Sequence, residues 1–260
     1  MEERSFREMN EGYNRAFGGR DIDDMIRDVE GSARDRELAM SAAFPALMRK
    51  VYVWMALALV ITGFTAYEIS VNPNILAAIF SNSIIFWGLI IGEFALVIGL
   101  TAAINRLSLT TATLMFILFS VINGATLSSI FIVYAMTSIA KVFFITAGTF
   151  AVTAFIGYTT KTDLSKMGKI LMMALIGLIL ATIVNIFLKS SGLDYILSYI
   201  GVAIFVGLTA YDTQKIKEML MTQHDLSEGA QKLALLGALS LYLDFINLFL
   251  YLLRIFGKRE

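Results

Sequence analysis

The sequence predicts an all-α membrane protein, a bundle of seven transmembrane helices. Three observations predict it. Of 260 residues, 57% are hydrophobic and 16% charged, whereas a soluble domain is roughly 45–50% apolar and about 25% charged. The apolar residues collect after residue 50 in seven stretches of roughly 20, the length a helix needs to cross a bilayer. The last stretch carries a polar stripe that suits only a bundle interior or a water-filled path.

The chain divides into a polar arm, residues 1–49, and a seven-span domain, residues 50–260. The arm mixes charges of both signs, and Gly18-Gly19 and the acidic run from Asp21 to Asp24 read as flexible and solvated. Its more apolar part, 38–48, reads equally as a membrane-surface segment or a linker. The arm shows no apolar core of a cleavable signal, so the first span is expected to act as the insertion signal.

The spans are placed in order by their breaks. The first, 51–71, follows Arg49 and Lys50 and stops at Asn72-Pro73-Asn74. The second, 83–105, ends at Asn105-Arg106. Gly88, Gly92, Ala95, Gly99 and Ala102 recur along it at helical spacing, which reads as a packing seam. The third, 108–134, is long and flecked with polar residues, so a tilt or bend is expected. The fourth is 141–159, before the Lys161–Lys169 loop, and the fifth is 168–188, closed by Lys189–Gly192. The sixth, 193–214, ends at Asp212–Lys215, and the seventh is 231–256. Tyr52, Trp54, Tyr67, Trp87, Tyr134, Tyr158 and Tyr211 fall near these ends, as an aromatic belt does.

Lysine and arginine set the orientation. Arg106, then Lys161, Lys166 and Lys169, then Lys215, Lys217 and Lys232 follow the even-numbered spans, whereas the odd-numbered loops hold only Lys141 and Lys189. The N-terminus is therefore expected in the cytoplasm of a cell whose plasma (inner) membrane holds the chain. Seven full spans place the C-terminus outside. Arg254, Lys258 and Arg259 oppose that, and a re-entrant last segment is the alternative.

Composition excludes several function classes. The net charge is zero, so no nucleic-acid partner is expected. There is no cysteine, which removes disulfides, thiolate metal sites and thiol nucleophiles. No cofactor-binding motif and no catalytic constellation is found, so the chain is not expected to be an enzyme. His224, the only histidine, sits in the polar 218–231 loop and reads as solvated rather than as a pH sensor.

Among the ionisable residues in or at the ends of spans, four matter most: Glu93, Arg106, Asp212 and Asp244. Asp244 is near the middle of the seventh, where an ionised aspartate costs roughly 2.5–3.5 kcal/mol. Gly237, Ser240, Asp244, Asn247 and Tyr251 follow one another at steps of three and four, the stripe that turns this helix inward. Glu93 reads either as a neutral hydrogen-bond partner of a neighbouring helix or as a functional carboxylate. Arg106 reads as a snorkelling topology signal or as the cation nearest to a carboxylate at that end. Asp212 reads as a surface partner of Lys215 or as an interior group. If Asp212 and Asp244 meet, they share one proton, because two ionised carboxylates in contact repel in a poorly solvated site. Such a pair forms a proton-sensitive latch and a weak, transient oxygen site for calcium, which takes six to eight oxygen ligands.

Two motifs then carry a family resemblance. Ile204-Phe-Val-Gly-Leu-Thr-Ala-Tyr-Asp-Thr-Gln-Lys-Ile216 resembles the signature of the Bax inhibitor-1 family, and Gly237–Gly257 is similar to the last span of that family. Leu127–Tyr134 and Gly157–Ser165 resemble its bacterial branch. The resemblance covers about residues 45–257. It implies seven helices with the last surrounded by the others, and a pH-dependent calcium leak gated by an aspartate pair, here Asp212 and Asp244. Glu93 and Arg106 match its second-span acidic and basic residues in approximate position, and Ser240 and Asn247 are taken as supporting residues of the pore or latch. The family also implies protein partners, for some bacterial members a membrane-bound ATP-dependent protease.

The expected function is thus a pH-sensitive calcium leak across the membrane. The alternatives are a proton-coupled transporter using the same carboxylates, and a non-transporting regulator of other membrane proteins. An intramembrane aspartyl protease also uses two aspartates. It needs Gly-x-Gly before the second, where this chain has Leu241-Tyr-Leu, and its Pro-Ala-Leu element occurs here only at Pro45, before every span.

Overall fold

The computed structural model describes residues 22–258. The chain is an all-α membrane protein. Its helices are α1 (Ile22–Ser70), α2 (Pro73–Phe80), α3 (Ser83–Ala103), α4 (Leu109–Leu127), α5 (Ile130–Val133), α6 (Met136–Thr159), α7 (Ser165–Leu188), α8 (Ser191–Met221) and α9 (Glu228–Phe256). Seven stretches are long and apolar enough to span: Ala42–Ser70, Ser83–Ala103, Leu109–Val133, Met136–Thr159, Ser165–Leu188, Ser191–Met221 and Glu228–Phe256.

Local chemistry fixes the ends. The Asn72 side chain accepts from the backbone N–H groups of Asn74 and Ile75 at 3.2 and 3.4 Å, and Pro73 opens the short α2. Asn82 caps α3 in the same way, 2.9 Å from the Ile84 N–H. Ser108, Ser190 and Ser227 cap α4, α8 and α9. Between α7 and α8 the turn is tight. Lys189 adopts a left-handed conformation at φ 53°, and Asn185 Oδ1 takes the Ser190 N–H at 3.2 Å.

The layout places α9 at the centre. Two-thirds of its most apolar window is buried (67%), against 6% for α3 and 11% for α7. It packs against α8, α1, α6 and α4, while α3 lies against α4 and α7 against α8 on the periphery. Glycines permit the closest crossings. A Cβ on Gly124 would stand 2.6 Å from the Thr62 carbonyl oxygen, and one on Gly157 would run into the Ala210 backbone. So α1 touches α4, and α6 touches α8, backbone to backbone.

Several expectations change here. No structural break falls at residue 49, because α1 runs unbroken from Ile22 through Pro45 into the first span. Gly18, Gly19 and Asp21 lie outside the described residues. The third span does bend: α4 stops at Leu127, and the Ser128-Ser129 turn starts α5. The seventh is one continuous helix of 29 residues rather than a re-entrant loop. The sixth extends to Met221, which makes Asp212 and Tyr211 interior to α8 rather than terminal. The expected seam on the second span is met at Gly99, where a built Cβ stands 3.5 Å from Met115 of α4, but is unpartnered at Gly88 and Gly92, where no atom of another element lies within 4 Å. Those residues face outward.

Candidate functional site

The peripheral placement of α3 and α7 leaves room beside α9. A cavity of about 650 Å³ lies there, lined from α3, α4, α7, α8 and α9. Its polar lining is Glu93, Asn123, Thr126, Asp212, Ser240, Asp244, Asn247 and Tyr251, set in leucine, isoleucine and phenylalanine. The stripe read along the seventh span supplies four of these, Ser240, Asp244, Asn247 and Tyr251. Its fifth member, Gly237, packs on Ile216 instead.

Asp244 is 5% exposed. Among the described residues its Oδ2 has no hydrogen-bond partner, nor has Oε1 of Glu93. Buried acceptors left open in this way favour a proton, a water or a cation. Asp212 and Asp244 line the same cavity. No direct hydrogen bond joins the two among the described residues. Asp212 does not form the surface ion pair with Lys215 that the spacing allows. The Lys215 ammonium lies 5.8 Å from the centre of the Tyr211 ring.

Glu93 is held by a chain of polar groups across the core. Asn123 Nδ2 donates to Glu93 Oε2 at 3.3 Å, and the Tyr242 hydroxyl donates to Asn123 Oδ1 at 2.8 Å. The Thr62 hydroxyl lies 2.7 Å from that of Tyr242 and donates to the Ser120 carbonyl at 2.9 Å. Tyr242 is fully buried and edge-on to Phe116 and Phe119. The chain has two self-consistent directions. With Glu93 ionised, Asn123 donates to it, Tyr242 donates to Asn123, and the single Thr62 proton goes either to Tyr242 or to the Ser120 carbonyl. With Glu93 protonated and the amide reversed, Glu93 donates to Asn123, which donates to Tyr242, then Thr62, then Ser120.

Arg106 does not line this cavity. It is an exposed residue of the turn after α3. Nor do three carboxylate or histidine side chains converge on a metal position among the described residues. Glu93, Asp212 and Asp244 share a cavity without forming a cage. His224 is exposed in the loop before α9.

The residues that sequence reasoning missed are Asn123, Thr126, Tyr242 and Thr62. Asn123 and Thr126 were visible only as polar flecks in the third span. Tyr242 and Thr62 carried no signal of their own.

A family model described as inhibitor of apoptosis-promoting Bax1 matches residues 45–260. The chain belongs to the Bax inhibitor-1 family. Among relatives, the inner membrane protein YbhL of Escherichia coli is 50% identical over 221 residues, covering 84% of this chain and 94% of that one. A protein of Borreliella burgdorferi is 49% identical over 213 residues, covering 82% and 92%. Protein RP147 of Rickettsia prowazekii is 45% identical over 216 residues, covering 82% and 89%. The match takes in every Bax inhibitor-1 motif read from the sequence, and the whole cavity wall falls within it.

Proposed function

We propose that this Bax inhibitor-1 family protein is a pH-sensitive calcium leak of the bacterial inner membrane, gated by the Asp212 and Asp244 pair. One observation carries the reading: three carboxylates line a single cavity inside the bundle, and the Asp244 oxygen that has no partner is buried in it. Two carboxylates on one poorly solvated wall hold a shared proton more readily than two charges. With the proton present the wall is quiet and the cavity stays closed. When it leaves, repulsion strains the packing of α8 on α9, and water and a hard cation are drawn in. The sparse oxygen set gives brief binding, which suits passage rather than storage. Ser240 and Asn247 extend the polar wall from the pair, and Glu93 adds a third charge.

The same reading places the N-terminus in the cytoplasm and the C-terminus outside, from the lysines after the even-numbered spans. The inner-membrane location is supported by the printed name of the YbhL relative. It involves no enzymatic step and no cofactor. Protons and calcium are the small partners, and other membrane proteins are the macromolecular ones.

Purified protein in calcium-free liposomes tests the proposal. Calcium entry is expected to rise between about pH 6 and pH 8 as the shared proton is lost. Asp212→Asn and Asp244→Asn are each expected to remove that dependence. Unchanged pH-dependent entry in both variants sinks the latch. Entry that requires an opposing proton gradient means a transporter, and no entry at any pH means a regulator without transport.

A further inference from the structure

A second cavity lies on the opposite side of α9, between α1 and α6. It is an open groove, also of about 650 Å³, and its wall is almost wholly apolar. On α1 its lining runs from Pro45 to Leu59, about 21 Å of helix. On α6 it runs from Phe143 to Tyr158, about 22 Å. One leaflet with its headgroup region is about 20–22 Å thick, half of roughly 40–45 Å. The groove therefore has the length of one leaflet.

Its two ends differ. At one, Phe143 and Phe245 close the floor, their ring centres 5.4 Å apart. At the other stand Arg49, Tyr52 and Tyr158. The Lys217 ammonium reaches the same end: it donates to the Tyr158 carbonyl at 2.8 Å and lies 5.1 Å from the Tyr158 ring centre. No carboxylate lines the groove. An apolar slot one leaflet long, with two cations and tyrosine rings at its interfacial mouth, has the polarity of a lipid running parallel to it.

We propose that this groove is a binding site for one anionic phospholipid, with an acyl chain between α1 and α6 and the phosphate beside Arg49 and Lys217. The headgroup is selected by charge and the chain by the depth of the slot. Bulk lipid covers the other outward faces without such selection. The site does not depend on whether the central cavity conducts ions.

Native mass spectrometry of the full chain in detergent tests it, with phosphatidylglycerol and phosphatidylcholine added at equal concentration. One phosphatidylglycerol is expected to stay bound. Two basic residues, each worth about fivefold near an anionic headgroup, give a preference of roughly 25-fold over phosphatidylcholine. Arg49→Gln combined with Lys217→Gln is expected to bring the two lipids near parity. Ala151→Trp, which fills the exposed side of the slot, is expected to abolish retention of either. Val152→Trp on the neighbouring outward face is expected to change nothing. Equal retention of both lipids by the unaltered chain overturns the proposal, as does a second copy of the chain in place of lipid. Should Ala151→Trp fail to fold, the double variant decides alone, since it removes two charges and one exposed hydrogen bond to the Tyr158 carbonyl. A full preference kept by that variant overturns the headgroup site.

Discussion

The Tyr242 hydroxyl, on the central helix, donates to Asn123 Oδ1 at 2.8 Å, and Asn123 in turn holds Glu93. This contact links the carboxylate of a peripheral helix to α9, and through Thr62 to α1. Removing the hydroxyl leaves Asn123 Oδ1 without its donor in a buried site, while Thr62 keeps the Ser120 carbonyl. Tyr242→Phe is expected to destabilise the protein by about 1–3 kcal/mol. Adding Thr62→Val should cost less than the sum of the two single changes, because both act on one contact. Unfolding of the purified variants in detergent measures this, and strict additivity would contradict the chain.

Gly124 and Gly88 give a paired test of helix contact. A methyl at Gly124 meets the Thr62 carbonyl oxygen at 2.6 Å, whereas a methyl at Gly88 meets nothing within 4 Å. Gly124→Ala is expected to cost about 1–3 kcal/mol by overpacking, and Gly88→Ala to fall within about 0.5 kcal/mol of the parent. Thermal unfolding compares them, and equal shifts would show that α4 does not cross α1 as described.

Gln214 clamps the loop between α6 and α7. Its Oε1 accepts the Leu164 N–H and its Nε2 donates to the Thr162 carbonyl, both at 2.8 Å. Gln214→Ala frees both backbone groups at once. Trypsin cleavage after Lys161 is expected to quicken by about tenfold or more, since opening of this loop loses two bonds that resist it. Time-resolved proteolysis reads the outcome, and an unchanged rate would mean that the loop is held elsewhere.

Two loop carboxylates give a pH signature outside the membrane. The Ser165 hydroxyl and N–H hold the Asp163 carboxyl below its usual range, and Ser227 does the same for Asp225, with His224 adding to it. A depressed carboxylate supports its turn at neutral pH and withdraws that support as the pH falls through its lowered value. The Ser165 and Ser227 amide shifts are therefore expected to stay constant from neutral pH down to about 4, and to move only below it. Midpoints at or above the ordinary aspartate value would reject these bonds.

Glu93→Gln keeps the contact with Asn123 and removes one charge from the cavity. Under the leak reading, selectivity for calcium over sodium is expected to fall by about tenfold, equivalent to roughly 1.4 kcal/mol of ion interaction. Reversal potentials in planar bilayers measure it. An unchanged ratio would place Glu93 off the ion path.

The sequence carried much of the fold because lipid imposes a length on every span and leaves buried charge conspicuous. Asp244 and its stripe pointed to the cavity for this reason. Tyr242 escaped notice because the stripe argument assumes one inward face. On a helix enclosed by four others, a residue two positions from Asp244 points elsewhere and is still inside. Gly88 and Gly92 misled for the opposite reason: small residues permit contact but do not create it, and α3 turns them outward. Arg106 matched in position along the chain, yet a residue in a turn is released from the helical face that would have aimed it inward. The helix of the sixth span runs on to Met221, past Lys215 and Lys217, which looked like its boundary. Their ammonium groups instead lie over Tyr211 and Tyr158 while the helix continues.

The central position of α9 has a consequence for synthesis. The innermost helix leaves the ribosome after the six other spans. Until it arrives, the six earlier spans have nothing to wrap around, and Glu93, Asn123 and Asp212 lack the wall that encloses them. A nascent chain at that stage is a set of inserted but unassembled helices with polar groups open to lipid or to one another. The final span therefore acts as a checkpoint for assembly, and chains halted before Glu228 should be recognised and degraded as orphans while the full-length product persists.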